Sequence, residues 1–238
     1  MTAHHFFAPD VAAQRIVVSG EDARHASAVL RIRPGEIVTI SDGRGAVVEA
    51  EVSVAGRELV ADVRARRSEP PPRPRIAVFQ AIPKSGKLDL VVQKLTELGV
   101  DRIRLFRAER SVARWDEAKA GAQTRRLGAI ARQAAEQSRR AWLPEIEPPA
   151  TIDSLDLPEP SLVLEAGARL RIGAVLPPEA PEQVGLVVGP EGGLTREELD
   201  ALAVRGAVAA SLGRLILRTE TAALAAVAVL SFRYGGLG

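Results

Sequence analysis

Short apolar runs broken by polar positions open the chain. Segments 15–19, 36–41, 46–54 and 59–65 are rich in Val and Ile and are separated by glycine-bearing turns at Pro34-Gly35, Asp42-Gly43-Arg44-Gly45 and Ala55-Gly56. That alternation predicts strands. One helix is predicted over 22–30, with Ala23, Ala26 and Leu30 at helical spacing. Several short strands and one helix in so short a stretch suggest a small β-barrel. The pattern changes after Ser68-Glu69-Pro70-Pro71-Pro72-Arg73-Pro74-Arg75, where four prolines in five positions favour an extended linker. Beyond it, strands are predicted over 76–81, 102–106, 162–165, 184–188 and 207–212, and helices over 88–98, 116–139, 195–203 and 220–232. Gly99 suits a helix C-cap. Gly121 and Gly128 weaken the long helix, and Trp142-Leu143-Pro144 is expected to end it. Strands alternating with helices indicate an α/β domain with a mainly parallel sheet. The expected layout is therefore 1–69 as a barrel, 70–75 as a linker and 76–238 as an α/β domain.

Composition narrows the chemistry. The 238 residues suffice for one large domain or two modest ones. Cysteine is absent, which excludes disulfides, thiolate metal sites and cysteine nucleophiles. No stretch has the length and apolarity of a membrane span, and the first residues lack the apolar core of a secretory signal. A cytoplasmic protein without a membrane partner is expected. The net charge of +2 conceals two blocks. Residues 102–140 hold eleven Lys/Arg and four Asp/Glu, whereas 141–205 hold four and twelve. The basic block suits a phosphate-bearing partner; a solvated helix face fits it equally well.

Two constellations sit at strand-to-helix junctions. Gly189-Pro190-Glu191-Gly192-Gly193 follows the apolar strand Gly185-Leu186-Val187-Val188 and precedes Thr195, whose partner Glu198 completes a capping box. Glycines at the end of a strand let the backbone approach a ligand. The spacing matches neither the dinucleotide fingerprint nor a P-loop. The second constellation is Leu212-Gly213-Arg214-Leu215-Ile216-Leu217-Arg218-Thr219-Glu220-Thr221-Ala222. There Thr219 can cap the last helix, and Glu220 suits the positive end of its dipole. Arg218 can equally form a surface salt bridge. The last helix is apolar around its circumference from 222 to 230, so it must be covered by the domain or by a second subunit. Gln133, Glu136, Gln137, Arg139 and Arg140 crowd the end of the long helix. The three histidines, His4, His5 and His25, lack the spacing of a metal site, and no G-x-S-x-G elbow supports a hydrolase.

Together with His5-Phe6-Phe7, Val29-Leu30-Arg31, Lys87-Leu88-Asp89, Gln93-Lys94, Glu97-Leu98-Gly99-Val100, Glu109-Arg110-Ser111 and Ala135-Glu136-Gln137-Ser138-Arg139, these motifs span nearly the whole chain. The set resembles the bacterial 16S ribosomal RNA uridine N3-methyltransferase family, the RsmE family of the SPOUT class. His4 stands where that family often has Arg, and Thr96 where Ala is more usual. The resemblance implies a PUA-like barrel, a SPOUT α/β domain with a trefoil knot, a homodimer, S-adenosylmethionine as methyl donor, and 16S rRNA or the 30S subunit as substrate. It places the donor on Leu164, Glu165 and Gly167, on Gly189, Pro190, Glu191, Gly192 and Gly193, and on Leu212, Gly213, Ile216 and Leu217. Arg218 would act at the target base, with Glu220 as a weaker candidate for its general base. His5, Arg31, Arg110, Arg139 and Arg140 would hold RNA. Two other readings stay open. One is a related SPOUT enzyme acting on another base or a ribose 2′-hydroxyl. The other is an RNA-binding protein without catalysis.

Overall fold

The computed structural model describes residues 4–84, 86–111 and 115–237. The chain divides into two compact units. One comprises Met1–Pro71 with Ala135–Leu143, and the other Pro72–Ala134 with Pro144–Gly238. The change between them falls inside the proline run.

In the first unit, β1 (His4–Phe7), β2 (Arg15–Val18), β3 (Ile37–Ser41), β4 (Ala46–Ala55) and β5 (Leu59–Ser68) form one sheet in the order β1-β3-β4-β5-β2. Alternate positions point inward. Val38 and Ile40, Val48, Ala50 and Val52, and Leu59, Ala61 and Val63 build the core with Phe6 and Ile16. The helix α1 (Gly20–Ala28) adds Ala23 and Ala26 to the buried set. Register irregularities at Glu49/Ala50 and Val52/Val54 bend the long β4–β5 pair. β1 and β2 are the two sheet edges, and no pairing closes the sheet among the described residues.

The segment Ala135–Leu143 joins this unit, although it follows the second unit's first strands and helices in sequence. The helix α3 (Glu117–Ser138) ends before Trp142-Leu143-Pro144, the stop expected for it. Arg139 takes a left-handed φ of 57°, the Arg139 N–H bonds Glu136 O (3.2 Å), and the Arg140 N–H bonds Ala135 O (2.9 Å). This is the Schellman pattern, with Arg where Gly is usual. Ser41 Oγ and the Gly45 N–H then donate to Ala141 O at 2.9 and 3.1 Å, and the Leu143 N–H donates to Gly43 O at 3.0 Å.

His5 is part of this fastening. Its ring is 6% exposed. Nε2 donates to Arg140 O at 3.0 Å, and Nδ1 pairs with Thr39 Oγ1 at 2.8 Å. The RNA contact expected of His5 is therefore corrected, because both ring nitrogens are engaged inside the unit. Burial lowers its pKa from 6.5 to about 4. The folded state holds His5 neutral where the unfolded chain would protonate it. Its contribution is complete above pH 6.5 and is lost as pH falls toward 4. The shift corresponds to about 3 kcal/mol. Urea unfolding of His5→Gln should show a flatter loss of stability across that window than the parent. Parallel curves would remove His5 as the source.

The second unit holds β6 (Arg75–Ala81), β7 (Arg102–Arg107), β8 (Glu145–Thr151), β9 (Ser161–Leu164), β10 (Gln183–Val188) and β11 (Ala207–Ala210), with the short helix α4 (Ile172–Val175) between β9 and β10. The strands form an all-parallel sheet in the order β11-β9-β10-β6-β7-β8. Side chains alternate between two cores. Ile76 and Val78 face Val91 and Leu95 of α2 (Leu88–Glu97), Leu127 of α3, and Ala223 and Leu230 of α6 (Thr219–Arg233). Ala77 and Phe79 face the opposite core with Leu202 of α5 (Arg196–Val204). Gly99, at φ 90°, ends α2 as expected. α6 is only half covered within the unit, burying Ala223, Ala226, Val227 and Leu230 while Val229 and Phe232 stay exposed. Among the described residues, no helix is long and apolar enough to cross a membrane.

Candidate active site

All six strands end on the same edge of the sheet, where ligands bind in open α/β folds. A pocket of about 310 Å³ opens there, at the small end of the range for ligand sites. Leu164, Glu165 and Ala166 line it after β9. Val188, Gly189, Pro190, Glu191, Gly193 and Leu194 line it after β10. Ala210, Leu212, Gly213, Leu215, Ile216, Leu217, Arg218, Thr219 and Ala222 complete it after β11. Three loops chosen from sequence thus meet around one cavity. Gly167 and Gly192 are not among its lining residues. The Gly167 N–H turns back to Glu165 Oε1 (3.3 Å), and Gly192 packs against Arg110. Val188, Leu194 and Ala210 carry no motif signal of their own; only their place beside the glycine segments could have found them.

Neighbouring loops brace the glycine segment. The Glu191 carboxylate accepts the Lys84 N–H at 3.2 Å. Arg110 Nη1 donates to Gly192 O at 3.0 Å and Leu194 O at 3.4 Å. Arg110 stays exposed while it makes these bonds, so they leave the RNA contact expected of it uncontradicted. The Thr195–Glu198 capping box forms, and the same Glu198 carboxylate also accepts the Glu109 N–H at 2.8 Å.

The start of α6 differs from expectation. Arg218, not Thr219, is the N-cap; its carbonyl accepts the Ala222 N–H at 2.8 Å. Thr219 lies one residue inside. Its hydroxyl donates to Gly189 O at 2.7 Å and accepts from Gln80 Nε2 at 3.0 Å. Arg218 is exposed, lines the pocket, and forms no ion pair among the described residues. Glu220 lies outside the pocket lining, with Oε1 2.5 Å from Lys87 Nζ. Burial alone would raise the Glu220 carboxyl, but the hydrogen bond and charge of Lys87 outweigh it, and the net shift is downward. A carboxylate held ionised in this way is a poor proton acceptor at neutral pH. The ion pair thus lowers the basicity that the general-base role expected of Glu220 would call on.

The basic block is also partly neutralised within the fold. Arg102 and Arg104 pair with Glu147 and Asp156, and Arg126 with Asp89. Arg31 and Arg139 are exposed, and among the described residues they are the two non-glycine residues with left-handed backbone.

The parallel sheet, its strand-end pocket and the small β unit define an α/β protein built to bind an organic ligand beside an exposed arginine. Residues 69–231 match the RNA methyltransferase domain, and residues 18–61 match the RNA methyltransferase PUA domain. The chain is 42% identical to the ribosomal RNA small subunit methyltransferase E of Mycobacterium bovis, over 92% of this chain and 87% of that protein. It is 30% identical to that of Bacillus subtilis, over 91% and 89%. A ribosomal RNA small subunit methyltransferase E from Neisseria gonorrhoeae, crystallised with S-adenosylmethionine, superposes with a TM-score of 0.88 at 28% identity, covering 98% of both chains. The chain belongs to the ribosomal RNA small subunit methyltransferase E family of RNA methyltransferases.

Proposed function

We propose that this protein transfers a methyl group from S-adenosylmethionine to N3 of a uridine in 16S rRNA of the small ribosomal subunit. The observation that carries the reading is the strand-end pocket with Arg218 on its rim. The pocket's chemistry fits the donor. Leu164, Val188, Leu212 and Leu217 offer apolar walls for a nucleoside base, and the loop backbone offers hydrogen-bonding groups beside them. The bound donor supplies an activated methyl group on a sulfonium. The residues of the chain do the rest. The three loops hold and orient, and Arg218 offers positive charge to the uracil oxygens as N3 gives up its proton to water. Calorimetry with S-adenosylmethionine tests the donor assignment, and absence of binding to the folded protein would contradict it.

The family's finer features belong to the same reading. The first sheet closes into a PUA-like barrel beyond its backbone pairings. The chain threads a trefoil knot. This is supported by β11 lying beside β9 at the sheet edge while α6 returns to pack on β10 and β6. The protein acts in the cytoplasm as a homodimer. Exposed Leu90 on α2 and Val229 and Phe232 on α6, two helices packed together, support an interface there. Light scattering should give twice the chain mass of 25.3 kDa; a fully active monomer would refute the dimer.

RNA is held through Arg31, Arg139 and Arg140 of the first unit. The exposed, left-handed Arg31 and Arg139 make the sharpest test. Arg31→Ala with Arg139→Ala should weaken RNA binding and reduce the slope of log affinity against log salt by roughly 1.4 if both contact single-stranded phosphates. An unchanged slope would show that neither side chain meets a phosphate.

A further inference from the structure

Gln80 is the last residue but one of the central strand β6 and is fully buried. Nothing in its sequence context marks it. Its amide nitrogen donates to Ala81 O and to Thr219 Oγ1, both at 3.0 Å. A carbonyl oxygen can only accept, so Ala81 O fixes which end of the amide is the NH₂. Because that NH₂ donates to the Thr219 oxygen, the single hydroxyl proton of Thr219 is directed to Gly189 O, 2.7 Å away. Gly189 is a wall of the donor pocket, and Thr219 adjoins Arg218. A one-way chain of hydrogen bonds therefore runs from the centre of the sheet, through the start of α6, to the glycine loop. The amide oxygen of Gln80, Oε1, is buried without a partner among the described residues. An unpaired buried acceptor is destabilising. Packing alone would favour an apolar residue at this position, yet a glutamine occupies it.

We infer that Gln80 is a positioning residue for methyl-donor binding. It acts through Thr219 by setting the direction of the Thr219 hydroxyl and so the orientation of the Gly189 carbonyl. The inference rests on the proposed donor pocket and deepens it.

Stability and donor affinity separate this role from a structural one. Gln80→Met keeps the side-chain length and removes both hydrogen bonds and the unpaired oxygen. It should unfold at the same temperature as the parent or higher, while its affinity for S-adenosylmethionine in calorimetry falls about tenfold, the scale of one lost hydrogen bond. Thr219→Val should lose a similar factor, and Thr219→Ser, which keeps the hydroxyl, should stay within about twofold of the parent. Residues acting in one chain are not additive, so Gln80→Met/Thr219→Val should bind about as well as either single variant. Parental affinity in folded Gln80→Met, or losses that multiply in the double variant, would overturn the inference. If Gln80→Met does not fold, Thr219→Val against Thr219→Ser decides, equal affinities overturning it. Failure of the parent protein to bind the donor would instead strike the proposed function, so the two failures are distinguishable.

Discussion

Arg218→Ala is expected to bind S-adenosylmethionine and RNA nearly as well as the parent and to methylate about a hundredfold more slowly at saturation of both. Arg218 is the exposed cation of the pocket lining. Its backbone carbonyl, which caps α6, is untouched by the substitution. What disappears is positive charge where negative charge develops on the uracil oxygens. Removing one such stabilising donor costs roughly 10²–10³ in turnover in comparable sites. Single-turnover rates at saturating donor and RNA provide the check. A parental rate with weakened RNA binding would make Arg218 a phosphate contact instead.

Gly45→Val is expected to destabilise the first unit by about 3 kcal/mol or more, from overpacking added to backbone strain. Gly45 has φ 98°, which β-branched residues avoid. A Cβ there would stand 2.5 Å from Glu69 O and 2.7 Å from the Trp142 ring. The Gly45 N–H also holds Ala141 O, so the substitution strikes the junction that fastens Ala135–Leu143 to the sheet. Gly56→Val is the control, because nothing lies within 4 Å of its Cβ position and no left-handed φ is required. Calorimetric unfolding of the two variants should separate them clearly. Equal losses would mean that close approach at Gly45 is not what matters.

The parallel sheet was legible in sequence because β6, β9 and β10 are mostly apolar runs and β7 alternates arginine with apolar residues. β8 was not, because Pro148 and Pro149 lie within it, and an edge strand tolerates them. β1 reads His4-His5-Phe6-Phe7, two polar residues and then two apolar ones, so no alternation marks it. The fastening of Ala135–Leu143 to the first unit depends on hydrogen bonds to residues about a hundred positions earlier, which no local pattern encodes. The pocket loops were legible because glycines collect at strand ends. Side-chain roles were less so. His5 looked like a surface contact for RNA, but burial and a backbone carbonyl claim it. The pairing of Glu220 with Lys87 joins residues 133 positions apart, so its lowered pKa had no local signal. Gln80 was invisible for a related reason: one glutamine at the end of an apolar strand has no spacing to reveal what its amide touches.

The most direct test is mass spectrometry of nucleosides and nuclease fragments from 16S rRNA incubated with the protein and S-adenosylmethionine, with free rRNA and assembled 30S subunits as parallel substrates. One added methyl group, mapped to a single uridine and identified as N3-methyluridine against a synthetic standard, is the expected result. A methyl group on another base or on a ribose 2′-hydroxyl, or no transfer to either substrate by protein that binds the donor, would contradict it.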